Sequence, residues 1–447
     1  MTAEAPRSAL RQTAGVVLPL MAATFLGTSC DFVSSFFSAR HSNGVLCAAL
    51  PASALAMTFV SVLSAVVALA GTVFAREHGA GRVERAIAAF RQGILLALLT
   101  LPLFLLAVPL GEWIFELFAH EPSVRALERI LYRYQLGGGF CLVLFTALSG
   151  FFSGQGRTRL VSSASIAGCL ASALTAALLI NGCGSVPVLG VHGLGLAVLA
   201  GKALPCLILL PVLLRDPLLT GDSRARGLRP DLPVLRDILR PGVPSGLSVL
   251  VLSGAFTVFT LVIGRLDAVS VTAINICFAI NGFYWVFVQA AEQAVTILVG
   301  RALGAKDGQG VRTALRQTTG ILAVPLVLFF AFCLLGSDFV TRLLYDPKSG
   351  IDFAALCSNV RLVLVVFIVR DLLEAGCHLI AGAMTAALDT RALLGIRLVA
   401  NLVWVLLLGG AFAFRPTLAA YVFLTPVQMA LVLAPLLVRG RRMLRPA

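Results

Sequence analysis

Six ionisable side chains, Asp31, Lys202, Glu292, Arg370, Asp371 and Glu374, lie inside stretches that are otherwise apolar. In hydrocarbon such a group costs about 2.5 to 3.5 kcal/mol or more and commonly marks an ion or substrate pathway. Asp31, between Cys30 and Phe32, either binds a proton or Na⁺ and releases it as water arrives, or pairs with Lys202. The two readings are compatible if the pair opens during a cycle. Arg370, Asp371 and Glu374 fall within little more than one helical turn, with the first and last at i and i+4 on one face. They form either a neutralised structural cluster or a cation site. Glu292 sits in Gln289-Ala-Ala-Glu292-Gln293, a polar stretch expected to face an interior cavity rather than lipid. Asn275, Asn281 and Gln289 add polar groups to the same segment, as helix-to-helix packing or as ligand contacts. The chemistry offered is reversible binding of an ion or a charged solute.

The elements that must hold these residues are membrane spans. With 59% hydrophobic and 13% charged residues and a mean hydropathy of +0.95, the chain has too little polar surface for a water-soluble globule. Apolar runs of about 20 residues, enough to cross a bilayer, begin near positions 14, 45, 90, 127, 158, 190, 240, 269, 317, 355, 391 and 417. All are expected to be helices, because a span must satisfy its own backbone. The fold class is therefore an all-α polytopic membrane protein with twelve transmembrane helices.

The net charge of +14 is an orientation signal rather than a nucleic-acid footprint. Most Lys and Arg fall in the amino-terminal tail, the even-numbered loops and the carboxy-terminal Arg439, Arg441, Arg442 and Arg445, which places both termini in the cytoplasm. The acidic stretch Glu112 to Glu128 is then an outer loop. Arg7 and Arg11 before an apolar run resemble a signal peptide, but the run continues through Phe32 to Ala39 and Gly27 stands where a lipoprotein signal carries Leu. The ten cysteines lack CxxC spacing and are expected as small core hydrophobes. There is no HExxH, no GxSxG and no phosphate-binding loop; Gly201-Lys202 is followed by Ala203. No enzyme and no cofactor is expected, and uphill transport would draw on an H⁺ or Na⁺ gradient.

The chain also repeats. Arg76, Gly79, Ala80, Arg91 and Gln92 recur 225 positions on as Arg301, Gly304, Ala305, Arg316 and Gln317, and Pro19 and Arg40 recur as Pro244 and Arg265. Gly150 and Thr158-Arg159 match Gly382 and Thr390-Arg391 at 232 positions, so a connection between the third and fourth spans differs by seven residues. Six spans per copy make the repeats parallel. The expected organisation is a lobe at 1–214, a charged cytoplasmic linker at 215–239 and a lobe at 240–447, around a central cavity.

Several stretches together resemble the multidrug and toxic compound extrusion (MATE) family over nearly the full length. They are Pro19 to Arg40 with Asp31, Phe74-Ala-Arg-Glu-His-Gly-Ala-Gly-Arg82, Gly150-Phe-Phe-Ser-Gly-Gln-Gly-Arg-Thr-Arg159, Val186-Pro-Val-Leu-Gly-Val-His-Gly-Leu-Gly195 and Val299-Gly-Arg-Ala-Leu-Gly-Ala305. The resemblance implies a twelve-helix exporter exchanging organic cations, drugs or other amphipaths for H⁺ or Na⁺. It puts Asp31 at the family's first-helix carboxylate, Glu374 at its tenth-helix acid and Asn275 at a cavity-lining eighth-helix position. The chain departs from the family in the seventh helix, with Leu252 near the usual acid, and in the fifth, with Ser172 and Ala176 near the usual Asn and Asp. Glu292 is the candidate replacement for the missing acid.

The expected function is secondary efflux of small amphipathic or cationic molecules by alternating access, from a monomer in the cytoplasmic membrane that contacts lipid and no nucleic acid. Asp31, Asp371, Glu374 and Glu292 are the candidate ion-coupling groups; Asp31, Lys202, Asn275, Glu292 and Glu374 are the candidate cavity residues. H⁺ is preferred because isolated carboxylates outnumber any visible oxygen cage. The alternatives are a lipid-linked sugar flippase, disfavoured by only two membrane cations, a non-transporting scaffold or receptor, and an intramembrane enzyme without an identifiable nucleophile and base.

Overall fold

The computed structural model describes residues 10–26, 43–117, 122–180, 188–219, 229–263, 266–344, 352–414 and 417–443. Among them are twelve helices, eleven of them long and apolar enough to span a membrane, and no strand. They are α1 (Leu10–Leu26), α2 (Asn43–Gly79), α3 (Val83–Leu117), α4 (Pro122–Gly154), α5 (Thr158–Ile180), α6 (Val191–Leu214), α7 (Leu232–Ile263), α8 (Ala268–Gly304), α9 (Gly308–Leu344), α10 (Phe353–Ala386), α11 (Thr390–Phe414) and α12 (Leu418–Met443). Leucines such as Leu335 and Leu406, 89% and 74% exposed, present an apolar outer surface that suits a bilayer.

The repeat is visible in the helix boundaries. α3 and α9 start 225 residues apart (83 and 308), whereas α5 and α11 start 232 apart (158 and 390). Four of the seven extra residues lie in the α9–α10 connection, 345–352, against 118–121 between α3 and α4; α9 is two residues longer than α3 and α10 one longer than α4. The turn chemistry repeats too. After α2, Arg82 N–H donates to the Glu77 carbonyl and Gly81 N–H to that of His78; after α8, Asp307 donates to Ala302 and Lys306 to Leu303. The turns after α4 and α10 share the same crossed pair, Arg157 to Phe152 with Gly156 to Ser153, and Asp389 to Met384 with Leu388 to Thr385. This closure needs a left-handed residue at its centre. The first copy uses Gly81 (φ 74°) and Gly156 (φ 93°), and the second forces Lys306 (φ 56°) and Leu388 (φ 63°) into the same region.

Two differences from the sequence expectations concern charged segments. Glu112 and Glu116 belong to α3 and Glu128 to α4, not to a loop. Both helices run on past their apolar stretch because cross-pairs hold the charged ends together, Arg133 to Glu112 at 2.6 Å and Arg129 to Glu116 at 2.5 Å. Helix α7 starts at Leu232, within the stretch expected as linker, where Asp231 Oδ1 accepts from Val234 N–H at 3.3 Å.

The chain forms two compact units: Leu18–Gly246 with Gly300–Asp307, and Met1–Val17 with Leu247–Val299 and Gly308–Ala447. In the first unit α2 packs along α4 where Gly71 meets Gly150; a Cβ on either would stand 2.7 Å from the other's Cα, the close approach that small residues permit. The last turn of α8 also belongs here. Its Arg301 donates through Nε to the Gly154 carbonyl at 3.0 Å and through Nη2 to that of Ser153, capping α4. Gly79 and Gly304, equivalent in the repeat, lie against the Arg301 and Arg76 backbones. The core of the second unit includes Phe259, Ala273, Cys277, Phe367, Trp404 and Tyr421.

Candidate intramembrane charge site

The second unit gathers most of its buried charge between α8 and α10. Arg370 stands midway along α10, and Arg370, Glu374 and His378 follow at four-residue intervals, so one face of an apolar helix carries a polar stripe. All three are buried, as is Asp371 at 1% exposure. Arg370 Nη2 donates to Glu374 Oε2 at 2.8 Å, and its Nη1 lies 3.3 Å from Asp371 Oδ1. The guanidinium also stands 5.2 Å over the Phe367 ring.

Helix α8 supplies the partners that one helix cannot supply to itself. Asn281 donates from Nδ2 to Asp371 Oδ2 at 2.7 Å and accepts from Arg370 Nη1 at 3.4 Å. The Tyr284 hydroxyl donates to the Asp371 carbonyl at 2.6 Å. A void of about 10 Å³ borders Asp371 between Cys277, Cys333 and Phe367, room for about one water molecule. The trio of one guanidinium and two carboxylates is thus tied into a network, the condition for tolerating charge away from water.

Two turns further along α10, His378 Nδ1 lies 2.5 Å from Glu292 Oε2. The Glu292 side chain is 27% exposed and that of His378 8%. Trp285 meets the imidazole edge-on, with ring centroids 5.2 Å apart. The helices come this close because residue 382 is glycine: a Cβ there would sit 2.8 Å from the Glu292 carbonyl oxygen. Thr296 Oγ1 lies 2.9 Å from that carbonyl and 3.2 Å from that of Gly382. Arg397 of α11 donates to Ser248 of α7 at 3.0 Å.

Of the residues singled out from sequence, Arg370, Asp371 and Glu374 share one cluster, and Glu292 pairs with a histidine on the same face of α10. Asn275 is exposed on α8. Lys202 is half-buried on α6, where a Cβ at Gly138 of α4 would touch its Cγ at 3.5 Å. Asp31 lies outside the described residues, and with it the pairing expected between Asp31 and Lys202. Ser172 and Ala176 are buried, with Ser172 against Gly201 of α6, so these positions serve packing in the first unit. Sequence reasoning did not single out His378 or Arg397. The signal for His378 was its place four residues after Glu374 on the charged face.

No group of three or more His, Cys, Asp or Glu is gathered in a metal-holding arrangement among the described residues. The cluster joins carboxylates, a guanidinium and an imidazole by ion pairs and hydrogen bonds, inside helices that are otherwise apolar.

The MatE family model matches residues 19–178 and 244–409, two segments whose starts differ by the same 225 residues as the repeat. A probable multidrug resistance protein NorM of Pseudomonas putida is 28% identical over 420 residues, covering 93% of this chain and 89% of that protein. The corresponding protein of Bradyrhizobium diazoefficiens is 28% identical over 354 residues, 78% of this chain and 74% of its own. Among solved structures, the outward-facing conformation of a multidrug resistance MATE transporter superposes with a TM-score of 0.88 at 19% identity, covering 98% of this chain and 96% of that one. A transporter of the same superfamily from Pyrococcus furiosus gives 0.87, also at 19% identity and with the same coverage. With the family model matched in both halves and the fold shared along nearly the whole length, this chain belongs to the MatE family of multi-pass membrane transporters.

Proposed function

We propose that this protein exports amphipathic or cationic small molecules across the cytoplasmic membrane in exchange for protons, by alternating access between its two homologous halves. The observation that carries this reading is a set of ionisable groups on α8 and α10, Glu292, Arg370, Asp371, Glu374 and His378, kept inside apolar helices of a MatE protein. Holding them there costs stability, and ion exchange is the use that offsets it. Relatives described as multidrug resistance proteins support small-molecule export. Protons are favoured over Na⁺ because the carboxylates are already met by guanidinium or imidazole, leaving proton gain and loss as the change open to them. Asp31 and Lys202 in the first half and Asn275, Glu292, Asp371 and Glu374 in the second are the candidate ion and substrate contacts. The bias of Lys and Arg supports cytoplasmic termini, and nothing in the reading requires more than one copy.

For exchange, the proton must bind one facing state more tightly than the other, since equal affinity shifts no population. The test is ethidium uptake into inverted membrane vesicles carrying the native chain or Asp31→Asn at matched expression, under imposed proton or sodium gradients. Uptake with the proton gradient alone is expected. Uptake with the sodium gradient alone would replace the ion, and no uptake of several cationic dyes under either would remove the export reading in favour of a lipid-linked substrate.

A further inference from the structure

We propose that Glu292 and His378 are the proton site through which transport is coupled, with Glu292 as its wet side and the imidazole as the group that holds the proton; this rests on the export reading above. The geometry points to it in three ways.

The first is charge. His378 meets Glu292 and Trp285 of α8; on its own helix Glu374 stands one turn before it, with Arg370 and Asp371 a further turn away, and α11 carries Arg397. Helix α7 adds the Ser248 hydroxyl and α12 the Met429 carbonyl. Arg370 already stands beside Glu374 and Asp371, which leaves Glu292 with the imidazole as its close partner, and a buried carboxylate left unpaired is what such an environment resists. One proton on the imidazole completes that pair. An imidazole is the side chain whose ordinary titration falls between about pH 5 and 8.

The second is the division of labour among the carboxylates. Glu374 and Asp371 are both engaged by Arg370, a cation tethered to the same helix. Among the described residues Glu292 has no guanidinium within ion-pair distance; its close partner is His378 at 2.5 Å.

The third is access. Glu292 retains 27% exposure beside a nearly enclosed His378, so the carboxylate is the open end of the pair, at which a proton enters, passes to imidazole Nδ1 and leaves by the same route. No bond other than O–H and N–H changes. Gly382 and Trp285 hold the pair in place through backbone approach and ring contact.

The experiment uses the purified full-length chain. Ethidium added to lightly buffered native protein is expected to release about one proton per transporter, the one held by the single Glu292–His378 pair. In Glu292→Gln and His378→Gln that release is expected to fall at least tenfold. In liposomes, uptake driven by a pH gradient should fall alongside it, while ethidium-for-ethidium exchange without a gradient persists; a merely structural role would lose both. Retained proton release and pH-driven uptake in both variants overturns the proposal and leaves the export reading standing. Should either variant fail to fold, ¹⁵N-histidine spectra of the native protein decide, with His378 one of five histidines. An imidazole that never changes protonation between about pH 5 and 8 overturns the proposal. Native protein that neither exchanges nor accumulates ethidium overturns the export reading and the coupling role with it.

Discussion

Arg370 is the residue on which the α8–α10 network depends. Its guanidinium faces two buried carboxylates and one buried amide at once, and removing one partner of a buried charge network costs about 3 to 5 kcal/mol, because the other charges stay behind. Arg370→Gln is therefore expected to lower the unfolding temperature sharply in detergent, with Arg370→Lys intermediate because an ammonium lacks the planar fork; an unchanged melting curve would contradict the network. At the exposed start of α8, the Asp267 carboxylate accepts from the Ser270 hydroxyl at 2.7 Å and its N–H at 3.0 Å. Those bonds hold Asp267 below the usual carboxylate range, the Ser270 hydroxyl most. A depressed acid contributes stability that is complete above its ordinary pKa, about 3.9, and lost as pH falls through the lowered value. Asp267→Asn should lower stability at neutral pH and flatten the acid end of the profile, where the native carboxylate has already lost its contribution. The charges were legible in sequence because any ionisable residue stands out in an apolar run. Their partners were not. Pairing Asn281 with Asp371 or Glu292 with His378 depends on the register of two helices some 90 residues apart, and His378, able to be neutral, draws no notice by its cost.

The four repeated turns set the expectations for the elements. Leu388 takes a left-handed conformation, φ 63°, where the first copy has Gly156, and a residue with a Cβ pays about 1 to 2 kcal/mol there. Leu388→Gly is expected to raise stability by about 1 kcal/mol, the gain tempered by glycine's greater freedom in the unfolded chain; a lower melting temperature would mean that the leucine side chain matters more than its backbone. Gly71 and Gly150 predict the opposite sign. With a Cβ on either only 2.7 Å from the facing Cα, Gly71→Val or Gly150→Val must push α2 and α4 apart, and folded yield should fall for both. The helices, their number and the seven-residue offset followed from hydropathy and the repeat. The ends of α3, α4 and α7 did not, because ion pairs and an aspartate cap extend those helices beyond their apolar cores.

For the whole molecule, the two compact units do not follow the midpoint of the chain. The first turns of α7 and the last turn of α8 belong with the first half, and Met1–Val17 belongs with the second. Sequence spacing could reveal the duplication but not which pieces exchange, since that depends on where Gly79 and Gly304 let backbones approach. Membership of the MatE family joins this architecture to transport, and the proposal assigns the buried charges to the coupling ion. Coupling between two ligands is reciprocal: if protons drive a dye, the dye must drive protons. The most direct test of the account is therefore to load liposomes containing the purified protein with ethidium, dilute them into dye-free medium at equal pH without Na⁺, and follow the internal pH. Internal acidification that tracks dye exit is the predicted result. Dye leaving at the same protein-dependent rate with no pH change would contradict proton exchange.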